Sequence, residues 1–252
     1  MYSVPEFEQV KRLTETSLSD YAVARATGIP RDTVRRWRLR DDAPGNLRAH
    51  VARFSPESYP TTYAYVLGLY LGDGHIWQTG KHSWRLGITL DAKYPGIIAE
   101  SRSGLEVVFP GLPVCKNERR GTGAVILLVS SPLMLSAFPQ HAPGKKHHRA
   151  IALADWQRDI TVSQPRSFIR GLIHSDGSRC FNRFSMTMKD GSRKPYAYPR
   201  YFFTNYSADI RRIFCEHCEL LGIRWTQSNP RNISISHRDS VAILDSFVGP
   251  KE

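Results

Sequence analysis

Two aspartates about a hundred residues apart stand in matching surroundings. Asp73 lies near the end of Tyr65-Val66-Leu67-Gly68-Leu69-Tyr70-Leu71-Gly72-Asp73-Gly74, and Asp176 near the end of Ser167-Phe168-Ile169-Arg170-Gly171-Leu172-Ile173-His174-Ser175-Asp176-Gly177. Both segments are apolar, carry small residues four apart (Gly68 and Gly72, Gly171 and Ser175) and end in Asp-Gly. As two packed helices they would bring one carboxylate from each copy to a common seam. A carboxylate in the last helical turn faces the negative end of the macrodipole, and two of them repel one another. A bound cation relieves both penalties, and carboxylates that leave water ligands in place are the usual way of holding Mg²⁺ against phosphate oxygens. The simpler reading, Asp-Gly as a turn that stops each helix, does not account for matched spacing in two copies.

The elements that must position these acids follow from the glycines. Gly inside a helix costs about 1 kcal/mol relative to Ala, so a pair at i and i+4 needs a compensating close approach between backbones, nearer than the usual ~8–10 Å between axes. Gly74 and Gly177 are expected in the left-handed conformation that ends a helix. Ile88-Thr89-Leu90-Asp91 and Phe202-Phe203-Thr204-Asn205 read as strands that end on a polar residue and enter a helix. Asp91 and Asn205 suit helix N-caps in those places.

Both segments resemble the LAGLIDADG motif, which names a family of DNA endonucleases that includes homing endonucleases. The match lies at the helix-packing positions and the terminal acid; Gly72, His174 and Ser175 depart from the pattern. The resemblance spans roughly residues 61–252 and implies an α+β fold. Two pseudo-symmetric αββαββα halves, 61–160 and 161–252, would form a saddle over duplex DNA. Its strands are expected at 83–90, 114–120, 124–130, 181–188, 198–204, 224–228 and 232–236.

The resemblance also implies Mg²⁺-dependent double-strand cleavage at specific sites by a monomer built as an internal pseudo-dimer. Asp73 and Asp176 would be the catalytic acids, and Asp73, Asp176, Gly72 and Ser175 the metal-binding positions. In family members a lysine after each half positions the attacking water or offsets charge at the phosphate; Lys146, 73 residues after Asp73, and Lys251, 75 after Asp176, take that role here. Lys145, Asp91 and Asn205 would stand at the rim of the site. The same fold has been reused in DNA-binding regulators and in RNA-splicing maturases, so a non-catalytic transcriptional regulator is the alternative reading.

Composition favours a polyanionic partner. The 252 residues carry a net charge of +12 with a pI near 9.8. Residues 145–200 alone hold twelve Lys and Arg against four Asp and Glu, the footprint expected of a nucleic-acid surface. Arg85, Lys116, Arg179, Arg183, Lys189, Arg193, Lys194 and Arg200 are the expected DNA contacts on the strands, with Arg183 and Arg193 foremost in the 179–200 hairpin.

Residues 1–50 form a separate unit that resembles the helix-turn-helix of many bacterial DNA-binding proteins. Phe7, Val10 and Leu13 space as the buried face of a first helix, Ser19 or Asp20 caps a second, Gly28 turns, and Pro30 starts a third over 31–38. Thr33 and Arg36 are expected at bases or phosphates, and Arg31, Arg35 and Arg38 at phosphates. Residues 51–60 read as a linker. Cys215-Glu216-His217-Cys218 looks like half a zinc site, but no second cysteine pair completes it, and helical core positions over 207–221 are expected instead. No apolar run of about 18 residues spans a membrane, and no basic-then-apolar leader opens the chain. A cytoplasmic, nucleoid-associated bacterial protein is the expectation.

Overall fold

The computed structural model describes residues 2, 4–41, 54–80, 83–119, 121–249 and 251. The chain divides into a small unit within residues 1–53 and a large one that takes up most of residues 54–252. The small unit holds α1 (Val4–Glu15), α2 (Asp20–Thr27) and α3 (Arg31–Arg38) around Phe7, Val10, Val23, Ile29, Val34 and Trp37. Ser19 caps α2 by accepting from the Ala22 N–H, and Gly28 turns at φ +71° with its N–H on the Ala24 carbonyl. The expected linker falls partly on residues 42–53, outside those described. From Phe54 onward the chain already packs on the large unit: the Phe54 ring lies 5.6 Å from that of Tyr63, and the Tyr59 hydroxyl donates to the Val108 carbonyl.

The large unit repeats one order of elements. The first half runs α4 (Pro60–Asp73), β1 (Gly74–Gly80), β2 (Ser83–Asp91), α5 (Pro95–Val108), β3 (Cys115–Arg119), β4 (Ala124–Ser131) and α6 (Met134–Ala137). A connecting helix, α7 (Asp155–Ser163), crosses the boundary expected at 160. The second half runs α8 (Pro165–Asp176), β5 (Gly177–Thr187), β6 (Arg193–Thr204), α9 (Ala208–Leu220), β7 (Thr226–Asn229), β8 (Asn232–Ile235) and α10 (Arg238–Asp245). Each half is αββαββα around a four-stranded antiparallel sheet, ordered β1-β2-β4-β3 in one and β5-β6-β8-β7 in the other. The expected strands are present, longer in the 177–204 hairpin, and β1 is added to them.

β1 begins at the residue after the acid, so Gly74 and Gly177 do not end their helices in the left-handed region. Their φ, ψ are −77°, 141° and −100°, 163°, ordinary extended backbone. Glycine is required there for space: a Cβ would lie 2.5 Å from Tyr70 Cα at Gly74 and 2.7 Å from Ile173 Cα at Gly177. The chain therefore turns directly from helix into strand over the preceding turn.

Strand alternation separates two faces. Ile76, Leu86, Ile88, Leu90, Val125, Leu127 and Val129 are buried on one face of the first sheet, as are Tyr201, Phe203, Ile233 and Ile235 on the corresponding face of the second. The Phe203 ring stacks on Phe214 of α9 at 4.2 Å. Opposite lies an open face. Between β6 and β8 pairing covers only Tyr201–Thr204, so from Phe181↔Pro199 to Thr187↔Arg193 the β5–β6 hairpin is a two-stranded ribbon.

Candidate active site

Helices α4 and α8 meet where the small residues lie. A Cβ on Gly171 would stand 2.1 Å from the Tyr65 carbonyl oxygen, and one on Gly68 2.5 Å from that of Phe168. One turn on, a Cβ at Gly72 would meet Ser175 Oγ at 2.2 Å and Asp176 Oδ2 at 3.0 Å. The backbones are thus in contact, and both acids occupy last-turn positions at the seam.

His174, a departure from the motif, is satisfied within this interface. Its Nδ1 lies 3.0 Å from the Tyr65 hydroxyl and its Nε2 3.2 Å from the Val248 carbonyl. Nε2 therefore carries the hydrogen and Nδ1 accepts from Tyr65. Burial, with the adjacent Arg170, pushes its pKa down to about 4. Arg170 of α8 forms a two-pronged ion pair with Glu100 of α5, both contacts at 2.8 Å, which ties one half to the other.

A lysine ammonium stands at the end of each motif helix. Lys146 Nζ donates to the carbonyls of Tyr70, Leu71 and Gly72, the last two at 3.0 Å, and lies 4.9 Å above the Tyr70 ring. Lys251 Nζ donates to the His174 carbonyl at 3.2 Å and to that of Gly177. Each lysine caps the motif helix of its own half. Burial lowers both ammonium pKa values, Lys146 to about 8, while the two aspartates pull them back up.

The acids are inequivalent. Burial, then the charge of Asp176, raises Asp73 to about 7, with Lys146 and Lys251 opposing. Asp176 is also raised by burial, but Asn205 Nδ2 donates to its Oδ2 at 2.5 Å and opposes the rise. No donor reaches the Asp73 carboxylate among the described residues. Asp91 does not play the part of Asn205: Gly74 pairs with Ile88 and Gly177 with Phe203, so Asp91 follows its pairing point by three residues and Asn205 by two. Neither is the helix N-cap expected of it: α5 is preceded by Tyr94 and α9 is capped by Ser207, while Asp91 accepts from the Lys93 N–H and Asn205 Oδ1 from that of Ser207, turns just ahead of the helices.

Of the four positions expected to hold metal, two are engaged elsewhere. The Gly72 carbonyl already accepts from Lys146, and the Ser175 hydroxyl donates to the carbonyls of Gly171 and Leu172. Two carboxylates remain, and no cluster of three acidic, histidine or cysteine ligands is found among the described residues. That donor set suits a hard cation that keeps water and phosphate ligands, not a closed protein cage. A cavity of about 610 Å³ opens beside Asp73, lined among others by Tyr70, Trp77, His141, Lys145 and Lys146. Cys215 and Cys218 are buried on α9, with both thiols raised by burial, as core residues.

Strand register sorts the expected DNA contacts. On the open face of the ribbon stand Asn182, Phe184, Lys194, Tyr196, Tyr198 and Arg200, with Phe184 and Tyr196 stacked at 5.5 Å. Arg179, Arg183 and Arg193 lie on the other face, and Arg179 is held by Asp245 of α10 at 2.8 and 2.9 Å. Lys116 stands opposite the buried Leu127, on the covered face, and pairs with Glu118 at 2.9 Å. Arg85 is on the open face, bonded to Ser130, and Lys189 and Lys145 are exposed. Sequence reading missed His75 and Trp77, whose rings stack at 5.5 Å on the open face, and Arg119; the signal was their parity with Arg85 across the ladder.

In the small unit Arg31, Arg35 and Arg36 are exposed on α3. Thr33 is only 8% exposed and accepts from Arg36 Nη2 at 3.2 Å. Arg38 pairs with Asp20 at 2.7 Å and donates to the Leu18 carbonyl, which braces the unit.

No protein-family model and no curated protein matches the sequence. Solved structures to which the chain is similar include the LAGLIDADG meganuclease I-AabMI bound to uncleaved DNA, at 12% identity and TM-score 0.45, covering 73% of this chain and 82% of that one. The I-LtrWI LAGLIDADG homing endonuclease bound to target DNA matches at 9% identity and TM-score 0.46, covering 75% and 81%. The I-SmaMI LAGLIDADG homing endonuclease bound to cleaved DNA matches at 12% and 0.45, covering 74% and 83%. At this overlap, what the chain does is argued from Asp73, Asp176 and the two lysines that cap their helices.

Proposed function

We propose that this chain is a site-specific double-strand DNA endonuclease of the LAGLIDADG type, acting as a monomer in the cytoplasm on nucleoid DNA. The observation that carries the reading is one carboxylate from each half at equivalent helix ends, with a half-buried lysine donating to the carbonyls of each end. Asp73 and Asp176 would hold Mg²⁺ between them. Bound there, Mg²⁺ offers positive charge to a phosphate oxygen and to the leaving oxygen. Asp73 must shed its proton for this, as any carboxylate ligand does. Lys146 and Lys251 keep positive charge at the seam, and Asn205 fixes the Asp176 carboxylate. The open faces, through Arg85, Arg119, Lys194 and Arg200, hold the duplex backbone while the aromatic side chains lie against it.

The second reading, a regulator that binds without cutting, is favoured by one observation: the positive charge of Lys146 and Lys251 already opposes the charge of the two aspartates within the protein itself. The exposed arginines of α3 serve either reading. Genomic fragments captured on the protein in Ca²⁺, then exchanged into Mg²⁺ and sequenced at their ends, separate the two. Discrete double-strand ends that vanish in Asp73→Asn support the endonuclease; specific fragments retained uncut in Mg²⁺ support the regulator.

A further inference from the structure

A second cationic group stands where the halves meet. In the 3₁₀ turn Lys146–His148, Lys146 reaches inward to α4, while its neighbours Lys145 and His147 are exposed. The His147 ring lies 5.4 Å from that of Tyr206, on the connection from β6 to α9. Arg231, in the β7–β8 turn, stacks on the same Tyr206 ring with Cζ 4.2 Å from the centroid, and its Nη1 donates to the Tyr206 hydroxyl at 3.0 Å. Tyr206 itself is 59% exposed.

The group is fixed in register with the second acid. Asn229 Oδ1 accepts from the N–H groups of Arg231 and Asn232 at 2.9 and 3.0 Å, which sets the turn. The Asn205 N–H donates to the Arg231 carbonyl at 3.0 Å, and the Asn205 side chain holds Asp176. Among the described residues no carboxylate lies within ion-pair distance of Arg231, Lys145 or His147. The fixed charges of Lys145 and Arg231, without an acid beside them, raise the local potential and call for an anion from outside the protein. An arginine already held by stacking and one hydrogen bond loses little freedom on binding a phosphate, and keeps N–H donors for it.

We propose that Arg231, Tyr206, His147 and Lys145 form a clamp for a backbone phosphate of duplex DNA, next to the phosphate attacked beside Asp176. Its place beside the attacked phosphate rests on the endonuclease reading; its grip on duplex DNA does not. The test uses the full chain carrying Asp73→Asn, so that no cutting occurs, titrated with a mixed-sequence duplex over a range of salt. Adding Arg231→Ala should weaken binding by about 10- to 100-fold at low salt. It should also flatten the slope of log affinity against log salt by about 0.9, the share of a single neutralised phosphate. Arg231→Lys should restore the slope but not the full affinity, since charge returns without the stack. Paired Lys145→Ala and His147→Ala, both on exposed side chains, provide the same readout where Arg231→Ala perturbs the turn. Unchanged affinity and slope in both variants overturn the clamp. With Asp73 intact, Arg231→Ala should raise KM and spare kcat; loss of kcat at constant KM also overturns it. Failure of the Asp73-intact chain to cut any captured fragment removes the endonuclease reading and leaves the slope result standing.

Discussion

Gly171→Ala sets two opposing quantities against each other at the seam. In an isolated helix the change is favourable by about 1 kcal/mol. Here the new Cβ would lie 2.1 Å from a backbone oxygen, Tyr65 O, which has no side-chain freedom to move away. Ordinary non-bonded contact needs roughly 3.5 Å, so α4 and α8 must part by more than an ångström at their closest point. Overpacking costs about 1–3 kcal/mol, and a clash with backbone belongs at the upper end. The net expectation is destabilisation by about 2 kcal/mol, which for a unit of this size lowers Tm by about 4–8 °C. Calorimetry of the large unit's transition measures it. Gly104→Ala is the matched control, because its Cβ meets side-chain atoms and no backbone, Val66 Cγ2 at 3.0 Å and Thr62 Cγ2 and Tyr65 Cδ1 at 3.7 Å, and its Tm should change little. Gly68→Ala combined with Gly171→Ala should cost less than the sum, since one separation serves both. A Gly171→Ala protein as stable as wild type refutes the close approach itself.

Asp73→Asn and Asp176→Asn should each abolish cleavage and leave duplex affinity within a few-fold, as gel cleavage and anisotropy would report; robust cutting by the double variant overturns the active-site assignment. Asp73 also predicts a pH effect. Its folded pKa, about 7, lies above the ordinary 3.8, so the folded state binds the proton more tightly and stability falls as pH rises between those values. Asp73→Asn should therefore raise Tm at pH 8, by an amount corresponding to at most about 4 kcal/mol, with the gain vanishing near pH 4; a gain independent of pH contradicts the assignment. Lys194→Ala and Arg200→Ala, on the open face, should weaken duplex binding more than Arg183→Ala and Arg193→Ala, and the reverse order would mean that DNA approaches the other face. Arg38→Ala should lower the melting temperature of the small unit, whereas Arg35→Ala should leave it unchanged, a contrast readable by Trp37 fluorescence.

How much was legible from sequence depended on whether residue type alone fixed position. Asp73, Asp176, Gly68 and Gly171 sit in a repeat, and two copies at matched spacing specified the helix seam; Lys146 and Lys251 were expected at the water or phosphate, and their donation to the helix-end carbonyls was not foreseen. The three short helices of the small unit were legible because Ser19, Gly28 and Pro30 each have a local backbone reason. β1 was not, because Asp-Gly also reads as a helix stop and only the crowding of Tyr70 against Gly74 shows why glycine stands in an extended strand. The register of the β5–β6 ribbon was hidden because aromatic residues occupy both faces, Phe181 on one and Phe184 on the other, so alternation carried no sign. The partners of Thr33 and Arg38 within the small unit, Arg36 and Asp20, were not legible because spacing along a helix does not show which side chains meet. The Arg231 clamp was invisible, since its members come from three segments and meet only through Tyr206.

The two halves are joined in one chain, and the ribbons they project differ in length. β1 and β2 have 7 and 9 residues, β5 and β6 have 11 and 12. A homodimer is bound to twofold symmetry and presents the same patch twice, so any site it favours is driven towards a palindrome. A covalent pair is free of that constraint. Mutations in one half leave the other untouched, and each arm can lengthen, change charge or specialise independently. The longer second arm is a broken symmetry of this sort, and it predicts unequal half-sites, with more base pairs protected on the side of residues 177–204 than on the side of residues 74–91.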